Sequence, residues 1–172
     1  PEGWTKSPVD PMGLIAIFPA LWVRPGYVLR AYQYRAGGNG NGVVWALPVE
    51  AAFPEPDECS RLGQVFLAPP KPPAALDNLM DAITGDGSPW SYLSASLFLR
   101  EALDFGAMWH GVSWGTHEIL GNAPWRESGR ADIAATPAER WHWKGKQPEV
   151  WSPSVRISRS AAIVTFHTWT QL

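Results

Sequence analysis

Between Phe53 and Pro73 stand Pro54, Pro56, Pro69, Pro70, Pro72 and Pro73. Each fixes φ and carries no amide donor, so the stretch suits neither a helix interior nor a central strand. Regular structure must therefore lie on either side of it. Residues 53–74 are expected as an extended, proline-rich connection over the surface of a single domain spanning 1–172.

The block before it is apolar and β-rich. Gly13–Val23 (GLIAIFPALWV) is an apolar run closed by the turn signal Arg24-Pro25-Gly26. The residues before it, interrupted by Pro8 and Pro11, read as an irregular lead-in. In Tyr27–Arg35, Tyr27, Leu29, Ala31 and Gln33 share one face, and Val28, Arg30, Tyr32 and Tyr34 the other. Neither face is uniformly polar, which predicts a strand covered on both sides. Gly37–Gly42 (GGNGNG) separates it from the β-rich Val43–Val49. A dinucleotide fingerprint is excluded because Val43 stands where its third glycine belongs, and no G-K-[ST] follows. Glycine and asparagine tolerate positive φ, so a hairpin is expected.

Beyond the prolines, Leu76, Leu79, Met80 and Ile83 give Ala75–Thr84 helical spacing. Ser88 then reads as an N-cap with Pro89 at the first helical position. Leu93, Leu97, Phe98, Leu99 and Leu103 supply the apolar face of a second helix, and Gly106 a stop. The tail returns to β patterning: Trp141-His142-Trp143 alternates, and Val150–Ser158 and Ala161–Thr170 read as strands around a turn at Ser158-Arg159-Ser160. The expected fold is α+β, an antiparallel or mixed sheet from N- and C-terminal strands with two central helices packed on it.

Charge and cysteine content narrow the function. A chain of 172 residues with 45% hydrophobic residues, 17% charged residues and a net charge of −2 is ordinary for a globular domain. It has no basic run, so nucleic acid is not an expected partner. Cys59 is the only cysteine, which allows no intrachain disulfide and suits a cytoplasmic location. The start, PEGWTKSPVD, lacks the basic n-region of a secretory leader. The apolar run Gly13–Val23 contains Pro19 and falls short of the about twenty residues that span a bilayer, so no membrane association is expected. No cofactor motif is present.

The densest cluster of chemical groups is Met108–Gly121 (MWHGVSWGTHEILG). His110, His117 and Glu118 are candidate metal ligands. On one helix the two histidines would stand about 10 Å apart, beyond reach of one ion, and the zinc motif H-E-x-x-H is not met. Asp104 and Glu118 could form a carboxylate pair, with nothing to fix their separation. Gly111-Val112-Ser113-Trp114-Gly115 fits G-x-S-x-G and resembles the nucleophile elbow of the α/β-hydrolases, where paired glycines let a strained turn lift the hydroxyl. That resemblance implies Ser113 as nucleophile, His142 or His167 as base and Asp132 as orienting carboxylate. The chain departs from the family in lacking an H-G-G-G-type oxyanion loop. The alternative is a junction where a helix ends over packed tryptophans.

Eleven tryptophans exceed what packing a chain of this size demands. Each couples a large apolar area to an N–H that seeks a partner, which suits half-wet clefts and interfaces. The favoured expectation is a non-catalytic domain binding a protein or small ligand at a surface lined by Trp109, Trp114, Trp141, Trp143 and Trp151. A small serine hydrolase is the alternative.

Overall fold

A computed structural model describes residues 3–57, 69–109, 112–113, 118–121 and 146–169, with backbone alone at Trp109, Val112, Ser113, Glu118 and Trp169. The chain divides into two compact units, Pro1–Trp114 and Gly115–Leu172. The described residues form a mixed α+β structure of small antiparallel sheets with one long and one short helix.

The first unit is built on a hairpin. Strands β3 (Tyr27–Ala36) and β4 (Asn39–Pro48) pair along their full length from Tyr27↔Pro48 to Ala36↔Asn39. The turn is Gly37-Gly38, with φ of +55° and +83°, the double positive φ that two-residue hairpins favour. Strand β1 (Gly3–Lys6) pairs with β3 through Trp4↔Tyr34 and its neighbours. The expected irregular lead-in is thus corrected: Pro8 and Pro11 fall after the strand, where they cost it no donor. Strand β4 touches β6 (Met108–Trp109) only at Gly40↔Met108, and β6 pairs with β7 (Val112–Ser113).

The run Gly13–Val23 is not one strand. Asp10 Oδ1 accepts from the Met12 amide at 3.0 Å and starts the short helix α1 (Met12–Ala16). Pro19 follows it, and only β2 (Leu21–Val23) is extended. The helix expected over Ala75–Thr84 is likewise replaced by a 3-10 turn, Leu79–Ala82, and strand β5 (Ile83–Gly85). Asn78 caps the turn by accepting from the Met80 amide at 3.0 Å, and β5 then pairs antiparallel with β2. Here the β-branched Ile83 and Thr84 satisfy their backbone in a ladder rather than a helix.

One long central helix remains, α2 (Pro89–Leu103), capped as its sequence predicts: Ser88 Oγ accepts from the Ser91 amide at 3.1 Å. Gly106 follows it at φ +66°. Leu29, Ala31, Val44 and Ala46 from one sheet face meet Phe98, Ala102 and Phe105 in the core. Burying a side chain such as Phe98 stabilises by about 1.5–3 kcal/mol.

The described ends of the proline-rich stretch, residues 53–57 and 69–74, do more than connect, because they pack on the second face of the sheet. Tyr32 stacks on Phe53 with ring centroids 4.6 Å apart, and its hydroxyl donates to the Pro54 carbonyl oxygen at 2.7 Å. Burial, followed by the nearby Glu55 charge, raises the Tyr32 pKa above its ordinary value. Trp45 Nε1 donates to the Pro70 carbonyl oxygen at 2.9 Å, Pro72 is fully buried, and the Leu76 amide donates to the Ala46 carbonyl oxygen at 3.0 Å. Prolines lack donors but keep acceptors, and aromatic donors on the sheet take them.

In the second unit β9 (Ser154–Ile157) and β10 (Ala162–Thr165) form a hairpin closed by the Ser158 amide donating to the Ala161 carbonyl oxygen at 2.8 Å. Strand β11 (Thr168–Trp169) pairs separately with β8 (Glu118–Ile119). This corrects the expectation of one sheet shared by N- and C-terminal strands: the tail's strands pair with one another or with β8. No helix of the described residues is long and apolar enough to cross a membrane.

Candidate functional site

Strand β4 has one edge covered by β3 and another that, among the described residues, is met only in places. In an antiparallel ladder, alternate residues turn their backbone groups to opposite edges. Gly40 meets Met108 on the second edge, and the Ala46 carbonyl oxygen meets the Leu76 amide there. Between these points the Gly42 amide is satisfied by its neighbour, donating to Asn41 Oδ1 at 2.9 Å. No strand among the described residues pairs with Val44 on this edge.

Along that edge runs a cavity of about 560 Å³. Successive β4 residues from Asn41 to Trp45 line it, so it takes in side chains from both faces of the strand. Opposite them, α2 contributes Leu99, Ala102 and Leu103. Pro69 and Asp77–Leu79 close other parts of the wall, and Trp4 reaches it from β1. The volume lies in the range of small-molecule sites, and the lining is largely apolar with a few polar groups.

The helix side explains itself physically. Phe98 and Ala102 point into the core, while Leu99 is 38% exposed and Leu103 71% exposed. Spaced four apart, Leu99 and Leu103 form a stripe beside the buried face of α2. Sequence spacing alone places both on the apolar face of α2. They belong instead to the rim of the cavity.

The polar groups here are unevenly satisfied. Trp4 is 1% exposed and packs edge-on to Tyr34 with centroids 5.6 Å apart, yet its Nε1–H has no acceptor among the described residues. A buried donor left so costs about 1–3 kcal/mol. The Asn78 side chain accepts from the Met80 amide and donates to Asp81 Oδ1 at 3.1 Å. Asp77 is hydrogen-bonded to Lys71, and that bond, reinforced by the ammonium charge, lowers its pKa. Lys71 Nζ also lies 5.6 Å from the centroid of the Trp45 ring. A second, smaller cleft of about 310 Å³ lies against Tyr92 and Thr84, where the Ser91 hydroxyl is committed to the Ser88 carbonyl oxygen.

The residues singled out from sequence are distributed differently. Ser113 falls in β7, within an antiparallel pairing to β6, and its side chain lies outside the described residues. His110, His117, Asp132, His142, Trp114, Trp141 and Trp143 also lie outside them, as do the side chains of Trp109 and Glu118. His167 is described: its Nε2 donates to the Val150 carbonyl oxygen at 3.2 Å, and its ring meets Trp151 edge-on at 5.6 Å. Among the described residues no group of three or more His, Cys, Asp and Glu side chains could hold a metal ion.

Trp4 and Trp45 were not among the tryptophans assigned to a binding surface. The available signal was strand alternation. Trp4, Tyr34 and Asn41 form one cross-strand row, and Trp45 lies on the same face as Asn41. No protein-family model, curated protein or solved structure matches the chain.

Proposed function

We propose that the chain is a non-catalytic binding domain that takes a small, largely apolar ligand in the cavity along the free edge of β4. The observation that carries this reading is the cavity itself, about 560 Å³ between a strand edge and a helix that leaves Leu99 and Leu103 uncovered. Leu99 and Leu103 add apolar surface beside a recess of small-molecule size, where a largely apolar ligand gains by leaving water.

The reading is tested with N-phenylnaphthylamine, a neutral dye that brightens on leaving water. Saturable binding is expected. Leu103→Glu should weaken it by about tenfold, since it places a charge on the rim. Ile157→Glu, at an exposed position in the second unit, should leave it unchanged. Absence of saturable binding, or equal loss in both variants, would contradict the proposal. Labelling of the chain by a fluorophosphonate, abolished by Ser113→Ala, would contradict its non-catalytic part.

A further inference from the structure

We infer that the β4 cavity takes a small, flat ring compound with a hydrogen-bond donor and an acceptor side by side on one edge, as in a cyclic amide. That edge pairs with the outward backbone of Gly42 and Val44. This rests on the cavity being a binding site and specifies the chemistry it takes.

Strand register fixes which backbone groups face the cavity. Strand β3 lies between β1 and β4, and the Ser7 amide donates to the Ala31 carbonyl oxygen at 2.9 Å, so the backbone groups of Ala31 turn toward β1. Its cross-strand partner on the other side is Val44. The two residues of such an antiparallel pair turn their backbone groups away from each other, so Val44 N–H and C=O point to the far edge of β4. Gly42, two positions back, points the same way, and its amide is already bonded to Asn41 Oδ1. Gly42 has no side chain, so it lines the cavity with backbone alone, and Val44 lines it beside Gly42. Among the described residues, the Gly42 C=O and the Val44 N–H and C=O meet no partner on this edge.

Pattern and length then select the ligand. The three groups run acceptor, donor, acceptor. A carboxylate would bring its charge against two carbonyl oxygens, and a hydrocarbon would leave all three groups unmet. The complement therefore carries an N–H and a C=O together. The stretch is also bounded, because Gly40 pairs with Met108 and the Ala46 carbonyl oxygen accepts from the Leu76 amide. Gly42 and Val44 stand about 7 Å apart at the usual strand rise, too short a window for an added strand of several residues. An amide that presents both groups to one side is cis, which an open chain adopts at a cost and a ring enforces. Leu99 and Leu103 from α2 and the Trp45 side chain flank the edge and suit a flat, apolar ring body.

The full chain is titrated with 2-quinolone, 4-quinolone and naphthalene, which share a fused two-ring body. The first carries N–H and C=O side by side, the second carries them at opposite positions of one ring, and the third carries neither. Binding is followed by heat release and by the backbone amide resonance of Val44. 2-Quinolone should bind about tenfold tighter than either of the others, as expected from completing one further buried hydrogen bond. It should move the Val44 amide proton downfield, and naphthalene should not. N-methyl-2-quinolone, which keeps the acceptor and loses the donor, should lose most of the advantage. Equal affinity of the two quinolones, or a Val44 resonance unmoved by bound 2-quinolone, would overturn the inference and leave the pocket standing. So would failure of 2-quinolone to bind where N-phenylnaphthylamine does. Failure of every one of these compounds to bind, the dye included, would overturn the pocket as well.

Discussion

Trp45 Nε1 donates to the carbonyl oxygen of Pro70 at 2.9 Å, joining positions 25 apart in the chain. With the Tyr32 hydroxyl on Pro54, this bond fastens a donor-poor segment onto the outer face of the sheet. Trp45 and Pro69, the neighbour of Pro70, both line the cavity, so the fastening also shapes the proposed site.

Trp45→Phe keeps a ring on the sheet and removes the donor. It should destabilise the first unit by about 1 kcal/mol, the usual net worth of a hydrogen bond, with some loss of packing added. Tyr32→Phe should cost a similar amount. Urea unfolding with an unchanged slope measures both; full stability in Trp45→Phe would mean the segment is held by other contacts.

Two glycines of β4 should respond unequally to alanine. A Cβ at Gly42 would press against the carbonyl oxygen and ring of Phe105, backbone and core that cannot yield cheaply. Gly42→Ala should cost about 1–3 kcal/mol. At Gly40 the nearest atom is the flexible Met108 side chain, Cγ at 2.6 Å, so Gly40→Ala should cost distinctly less. Parallel denaturation curves would show the order, and its reversal would contradict the close approach at Phe105.

At the start of α2, Ser88→Ala should cost about 1 kcal/mol by removing the side-chain acceptor of the Ser91 amide.

Asp86 adds a pH dependence at the same helix end. Its pKa is lowered from 3.8 by hydrogen bonds from Ser88, first from the side chain and then from the backbone amide. A depressed carboxylate contributes stability that is complete above its unfolded value and lost as pH falls through the folded one. The urea midpoint should therefore fall less steeply below pH 3.8 in Asp86→Ala than in the unaltered chain. Identical profiles would remove Asp86 from the account.

Legibility in the sequence followed the range of the interactions. The hairpin at Gly37-Gly38 and the Ser88–Pro89 helix start depend on local backbone preferences, and both were readable. The segment Ala75–Thr84 misled because its apolar spacing suits a helix, while the strand Leu21–Val23, far off in sequence, offered it a ladder. The cavity was hidden for a similar reason. Leu99 and Leu103 fit the apolar pattern of α2 as well as Phe98 does, and only the placement of β4 decides which of them is covered. Trp4 was legible as an aromatic residue, but its unpaired N–H is a property of the assembled row with Tyr34 and Asn41.

The central claim, a ligand seated along the free edge of β4, is tested most directly by chemical-shift mapping of the chain titrated with N-phenylnaphthylamine. The account predicts saturable changes centred on Asn41–Trp45 and on Leu99–Leu103. Changes centred instead on Trp151 and His167, or scattered without preference, would contradict it.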